Sequence, residues 1–125
     1  MSIGPGDRVA VTGAAGFIGS AITRQLLGRG ASVVALAEPG GHRQNLSGLD
    51  VEVVDADVRD PVAVRRALVG MRFVFHAAAV YGFWAKDPAI FYDVNVGGTR
   101  NVLAAAAAEG VERIVYTSTV GTLGL

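Results

Sequence analysis

Val9-Ala10-Val11-Thr12-Gly13-Ala14-Ala15-Gly16-Phe17-Ile18-Gly19-Ser20 is the stretch that decides the fold. Its first three residues have the length and character of a buried strand, and a helix-compatible pattern opens at Ser20. The three glycines between them answer three physical needs: a tight strand-to-helix turn, close approach of backbone to a pyrophosphate, and close packing of helix on sheet. The helix start then offers unpaired N–H groups and the positive end of its dipole to an anion. A chain with 17 glycines will produce this spacing in ordinary turns as well. Context separates the two readings, because a second strand pattern, Ser32-Val33-Val34-Ala35-Leu36, follows at β-α-β distance. Gly13, Ala15, Gly16, Phe17, Ile18 and Gly19 are therefore the residues expected at the phosphates of a dinucleotide.

Outward from this turn, short apolar runs alternate with helical patterns. Strands are expected near residues 8–12, 32–37, 51–55, 72–77 and 113–117, and helices near 17–28, 61–69 and 88–109. The runs lack clean alternation, as strands do when both faces of a sheet are covered. Asp60-Pro61 supplies an N-cap with proline at the first helical position, and Gly70 stops that helix. Right-handed crossovers then predict an α/β class, a Rossmann-type doubly wound parallel sheet of strand order 3-2-1-4-5. Its carboxyl edge would carry Thr12-Gly13, Ala37-Glu38, Asp57, His76-Ala77-Ala78 and Thr117-Ser118-Thr119. Ligands bind along that edge in such folds. Residues 39–48 hold three glycines, a proline and Asn45, so a mobile surface loop is expected there.

Composition narrows the ligand. The 125 residues suffice for one domain, and 51% hydrophobic content indicates a substantial core. Eleven basic and eleven acidic residues cancel, which gives no reason to expect nucleic acid or an anionic membrane as partner. A small-molecule substrate fits better. No cysteine is present, so disulfides, thiolate metal sites and a cysteine nucleophile are excluded, and no metal site is expected. The first residues lack the basic-then-apolar layout of a secretory signal, and no apolar run approaches the roughly 18 residues of a membrane span. A cytoplasmic protein, alone or as a homodimer, is the expectation.

Five segments, taken in order, resemble the extended short-chain dehydrogenase/reductase family, the NAD-dependent epimerase/dehydratases. They are residues 12–19, Asp55-Ala56-Asp57-Val58-Arg59-Asp60, His76-Ala77-Ala78-Ala79, Asn95-Val96-Gly97-Gly98-Thr99 and Val115-Tyr116-Thr117-Ser118-Thr119. Residues 84–88 and 117–124 are most similar to dihydroflavonol 4-reductase-like enzymes and hopanoid-associated sugar epimerases. The resemblance implies that Asp57 and Val58 contact adenine, and that Ala77, Ala78 and Ala79 flank the cofactor at the end of strand 4. It also implies that Asn95 helps organise the active site and that Thr119 is the catalytic Ser/Thr that hydrogen-bonds the reacting oxygen. Thr117 and Ser118 lie beside it on the cofactor edge. His76 matches a scaffold position. Each residue has a plainer use: Asp57 as a loop acid or cap, the alanines as core packing, Asn95 as a surface polar group. Gly97 and Gly98 lie inside a helix, where glycine costs roughly 1 kcal/mol relative to alanine, so close packing is expected there.

Cofactor choice turns on Glu38. An acid at the end of strand 2 hydrogen-bonds the ribose 2′-hydroxyl of NAD, whereas arginine there accommodates the 2′-phosphate of NADP. NAD is therefore preferred, with NADP as the alternative if Arg43 folds back over a phosphate. The resemblance also implies a Tyr-x-x-x-Lys pair, and none occurs: Tyr81, Tyr92 and Tyr116 all lack lysine four positions on. The expectation is an incomplete dinucleotide-binding domain over residues 1–125, inactive alone, from a sugar epimerase or carbonyl reductase working on a secondary alcohol or ketone. A non-catalytic dinucleotide-binding or redox-sensing module is the competing class.

Overall fold

Eleven short elements follow one another along the chain in the computed structural model, which describes residues 2–80 and 86–118. They are β1 (Arg8–Thr12), α1 (Phe17–Gly28), β2 (Ser32–Ala37), a 3-10 turn (Gln44–Leu46), β3 (Glu52–Asp55), α2 (Pro61–Ala67), β4 (Phe73–His76), α3 (Ala89–Tyr92), a π turn (Asp93–Gly98), α4 (Thr99–Ala108) and β5 (Arg113–Tyr116). The five strands form one sheet in the order β3-β2-β1-β4-β5, and every pairing is parallel. This is the expected doubly wound α/β sheet.

Alternation along the strands divides the core into two halves. Val9 and Val11 of β1, Val33 and Ala35 of β2 and Phe73 of β4 pack with Leu26 of α1 and with Leu46. Ala10, Val34, Leu36 and Val74, the residues between them, pack with Val64 and Leu68 and with Val102, Ala105 and Ala106 of α4. Each strand thus presents side chains to both covered faces, which is why its sequence is continuously apolar. Asp60 caps α2 as expected, its carboxylate accepting from the N–H groups of Val62 and Ala63 at 3.0 and 3.2 Å.

Two expectations are refined. The long helix anticipated over 88–109 is interrupted by the π turn, which widens the backbone where Asn95, Gly97 and Gly98 fall. The segment 39–48 is anchored at several points. Leu46 is buried against the α1 face, Asn45 Nδ2 donates to the carbonyl of Ala15 at 2.9 Å, and Arg24 donates to the carbonyl of Asn45 at 2.7 Å. Glycine content suggested mobility, but one buried leucine and one bridging amide tie the loop to the glycine turn before α1.

Candidate functional site

Register brings the strand ends into line. Thr12 pairs with Leu36 and His76, Ala37 with Asp55, and His76 with Tyr116, so all five strands deliver their carboxyl ends to one edge. A cavity of about 310 Å³ opens there. It is lined by the turn residues Gly13, Ala15, Gly16, Phe17, Ile18 and Gly19, by Ala37, Glu38, Gly41 and His42 after β2, by Ala56, Asp57 and Val58 after β3, and by Ala77, Ala78, Ala79, Val80 and Val94.

The turn is shaped by steric exclusion. Gly13 has φ +61°, and a β-carbon there would lie 2.7 Å from the Ala78 backbone. Gly19 is tighter still against Gly13, and only Gly16 has room within a few tenths of an ångström. The twelve-residue α1 begins at this turn with no side-chain cap and no acid in its first turn. Among the described residues, nothing accepts from the N–H groups of Phe17, Ile18 and Gly19. Those free donors and the helix dipole face the cavity, which suits an anion such as a pyrophosphate. The residues present therefore fit a dinucleotide at its most demanding point.

Charge at the far end of the cavity is tightly paired. Arg59 donates from Nε and Nη2 to both oxygens of Asp57, and its backbone N–H donates to Oδ1 at 2.9 Å. The guanidinium holds the Asp57 carboxyl below the usual carboxylate range. Arg43 is ion-paired with Asp55 on β3. Arg43 is not among the lining residues of the cavity, whereas Glu38 and His42 are.

A polar chain runs beneath the floor. Thr12 Oγ1 accepts from the N–H groups of Ala77 and Ala78, both at 3.1 Å, and lies 2.6 Å from His76 Nδ1. His76 is buried, and desolvation pushes its pKa down to about 4. It is a neutral scaffold residue at neutral pH. Asn95 closes on Val80 in both directions: its Oδ1 accepts from the Val80 N–H at 2.8 Å, and its Nδ2 donates to the Val80 carbonyl at 3.1 Å.

Twelve of the residues singled out in the sequence thus meet around one cavity. Arg43, Asn95, Thr117 and Ser118 do not line it: Arg43 is held by Asp55, Asn95 supports the floor from behind, and Thr117 and Ser118 are exposed beyond the end of β5. Thr119 lies outside the described residues. Ala37, expected on the carboxyl edge, lines the cavity as well, whereas sequence reasoning missed Gly41, His42, Ala56, Val80 and Val94. Most are neighbours of residues it chose, and a rule that extends each strand end by one position would have found Ala56, next after β3.

Residues 9–125 match the model of the NAD dependent epimerase/dehydratase family. The chain belongs to that family. A Synechocystis sp. relative that carries a dihydroflavonol 4-reductase name is 40% identical over 119 residues, covering 95% of this chain and 34% of the relative. A 2-alkyl-3-oxoalkanoate reductase of Stenotrophomonas maltophilia is 40% identical over 112 residues, 90% of this chain and 33% of its own length. Among solved structures of the epimerase/dehydratase family, the UDP-glucose 4-epimerase of Thermus thermophilus in complex with NAD matches with a TM-score of 0.79 at 39% identity, over 90% of this chain and 37% of that one. The chain spans about one third of the length of these relatives. No helix among the described residues is long and apolar enough to cross a membrane.

Proposed function

We propose that this chain forms the dinucleotide-binding part of an NAD(P)-dependent oxidoreductase or epimerase that acts on a secondary alcohol or ketone, and that it prefers NAD. The observation that carries this reading is the uncapped N-terminus of α1, which opens on a cavity that Glu38 also lines. The N–H groups of Phe17, Ile18 and Gly19 hold the pyrophosphate, and Gly13 and Gly16 let backbone approach it. Glu38 accepts from the adenosine ribose hydroxyls and repels a 2′-phosphate. Asp57 and Val58 border the adenine, and residues 77–80 form the floor toward the nicotinamide.

When bound, the nicotinamide supplies a hydride acceptor or donor. In the role that the family resemblance implies, Thr119 hydrogen-bonds the reacting oxygen and orients it. The reductase and epimerase names of the relatives support redox chemistry at a carbon bearing oxygen. Residues 1–125 by themselves bind without turnover, because no tyrosine in them has a lysine four positions on to lower its pKa.

Calorimetric titration of the protein with NAD+ and with NADP+ tests this reading. Tighter binding of NAD+ is expected. A folded protein that binds neither, or that prefers NADP+, would overturn the assignment of α1 or of Glu38 respectively. Turnover of a secondary alcohol by residues 1–125 would remove the requirement for the Tyr-Lys pair.

A further inference from the structure

The hydrogen bonds beneath the cavity have a direction. Thr12 Oγ1 already accepts from two backbone N–H groups, those of Ala77 and Ala78, which fills its acceptor capacity. Its own proton must therefore go to His76 Nδ1, 2.6 Å away. That leaves the ring proton on Nε2, which donates to Thr99 Oγ1 at 2.9 Å. Thr99 in turn donates to the carbonyl of Asn95 at 2.7 Å, and the side chain of Asn95 is the clamp on Val80. No buried side-chain polar atom among the described residues lacks a partner.

We infer that His76 is a positioning residue that joins two clamps, Thr12 on Ala77 and Ala78 and Asn95 on Val80, and so holds the cavity floor in one place. The inference rests on the cofactor reading above for what lies on that floor. Its physical basis is that each link has one donor and one acceptor available, so the chain admits a single arrangement. An imidazole is suited to the central place because it accepts at one nitrogen and donates at the other, roughly in line. The π turn contributes by setting Asn95 at the register where its carbonyl meets Thr99 and its amide meets Val80.

Three measurements on the protein test this. Nitrogen-15 NMR of the His76 ring at neutral pH reports the tautomer, and the Nε2–H form is expected. Amide hydrogen exchange reports the clamps: Thr99→Val, which keeps shape but removes the hydroxyl, should lower protection of the Val80 amide by about tenfold, while Thr99→Ser should retain it. Amides of the β1–β2 ladder serve as a control for general loosening, which a merely structural role would produce throughout. NAD+ affinity measured well below the unfolding temperature should fall in Thr99→Val and recover in Thr99→Ser. An Nδ1–H ring, or unchanged Val80 protection in Thr99→Val, overturns the inference. A wild-type protein that fails to bind NAD+ counts against the cofactor reading instead, and the tautomer and exchange results still decide the role of His76.

Discussion

A β-carbon built on Gly19 would lie 2.0 Å from the carbonyl oxygen of Gly13, and one built on Gly13 would lie 2.7 Å from the backbone of Ala78. The glycine turn is therefore a three-layer stack of backbone: helix on turn, turn on the segment that follows β4. At Gly16 the nearest atom is 3.3 Å away and φ is −74°. These differences rank the three glycines. Gly19→Ala must displace backbone and should cost roughly 2–3 kcal/mol, read from the denaturant midpoint. Gly16→Ala should leave stability nearly unchanged and act through dinucleotide affinity, read by titration. Equal loss of stability in both would show that the stack is not what constrains the turn.

Cofactor preference should respond at two places. Glu38→Arg exchanges repulsion of a 2′-phosphate for attraction and should shift the ratio of NADP+ to NAD+ affinity by about tenfold or more toward NADP+. The second place is one strand away. Asp55→Asn releases Arg43 from its ion pair and should give a smaller shift in the same direction, of about twofold to fivefold, because the loop can then bring a cation to the cavity. Calorimetry with both nucleotides checks each variant. A shift in Asp55→Asn that persists when Arg43 is also changed to Gln would exclude this route.

Most of the architecture was legible in the sequence because local signals agreed. The strand periods, the Asp60-Pro61 start, the Gly70 stop and the glycine turn all pointed to one parallel sheet, and β1, β2 and α1 fall on the anticipated residues. What could not be read was tertiary. Arg43 lies near the cofactor edge in sequence, but its partner Asp55 is on another strand, and nothing local announces that pair. The segment 39–48 has the composition of a mobile loop, yet Asn45 reaches across 30 residues of sequence to Ala15. The π turn was likewise invisible. It arises where two consecutive glycines lower the helix propensity and the side chain of Asn95 is held by Val80, and only the second of those conditions needs the fold.

Stability should depend on pH through His76. Burial depresses its pKa from 6.5 to about 4, and no carboxylate pairs with it among the described residues; its ring contacts are Thr12, Thr99 and the edge-on ring of Tyr116. Between those values the unfolded chain binds a proton that the folded chain refuses. Stability is therefore full above pH 6.5 and is lost as pH falls toward 4, by about 3 kcal/mol at most. Asp57, held low by Arg59, and Asp7, held low by the Gly4 N–H and Arg72, lose their contributions only as pH falls past the unfolded value of 3.8, whereas Glu112, held low by Arg72, begins to lose its own near 4.5. Urea unfolding at about pH 7, 5.5 and 4.5 checks the slope. His76→Gln, which cannot charge, should flatten it, and a wild-type midpoint that does not move over this range would contradict the burial argument.

Gly97 and Gly98 are adjacent, yet they should behave oppositely when changed to alanine. A β-carbon on Gly98 would lie 2.5 Å from Val58 Cγ2, whereas one on Gly97 meets nothing within 4 Å. Gly98 is thus small because the helix packs directly on the residue expected beside adenine. Gly97→Ala should be neutral or stabilising by up to about 1 kcal/mol, since it only removes freedom from the unfolded chain. Gly98→Ala should destabilise by about 1–3 kcal/mol, because Val58 is buried and β-branched and has few ways to yield. The clash is with a side chain, so it can be relieved by shortening that side chain. Val58→Ala alone leaves a cavity and loses stability, but in combination with Gly98→Ala the new methyl occupies part of the vacated space. The double variant should therefore be more stable than the sum of the single losses predicts, by about 1 kcal/mol or more, measured in a double-mutant cycle from denaturant midpoints. Strict additivity would mean that the helix shifts as a body when Gly98 grows, and that Val58 does not set its distance from the sheet.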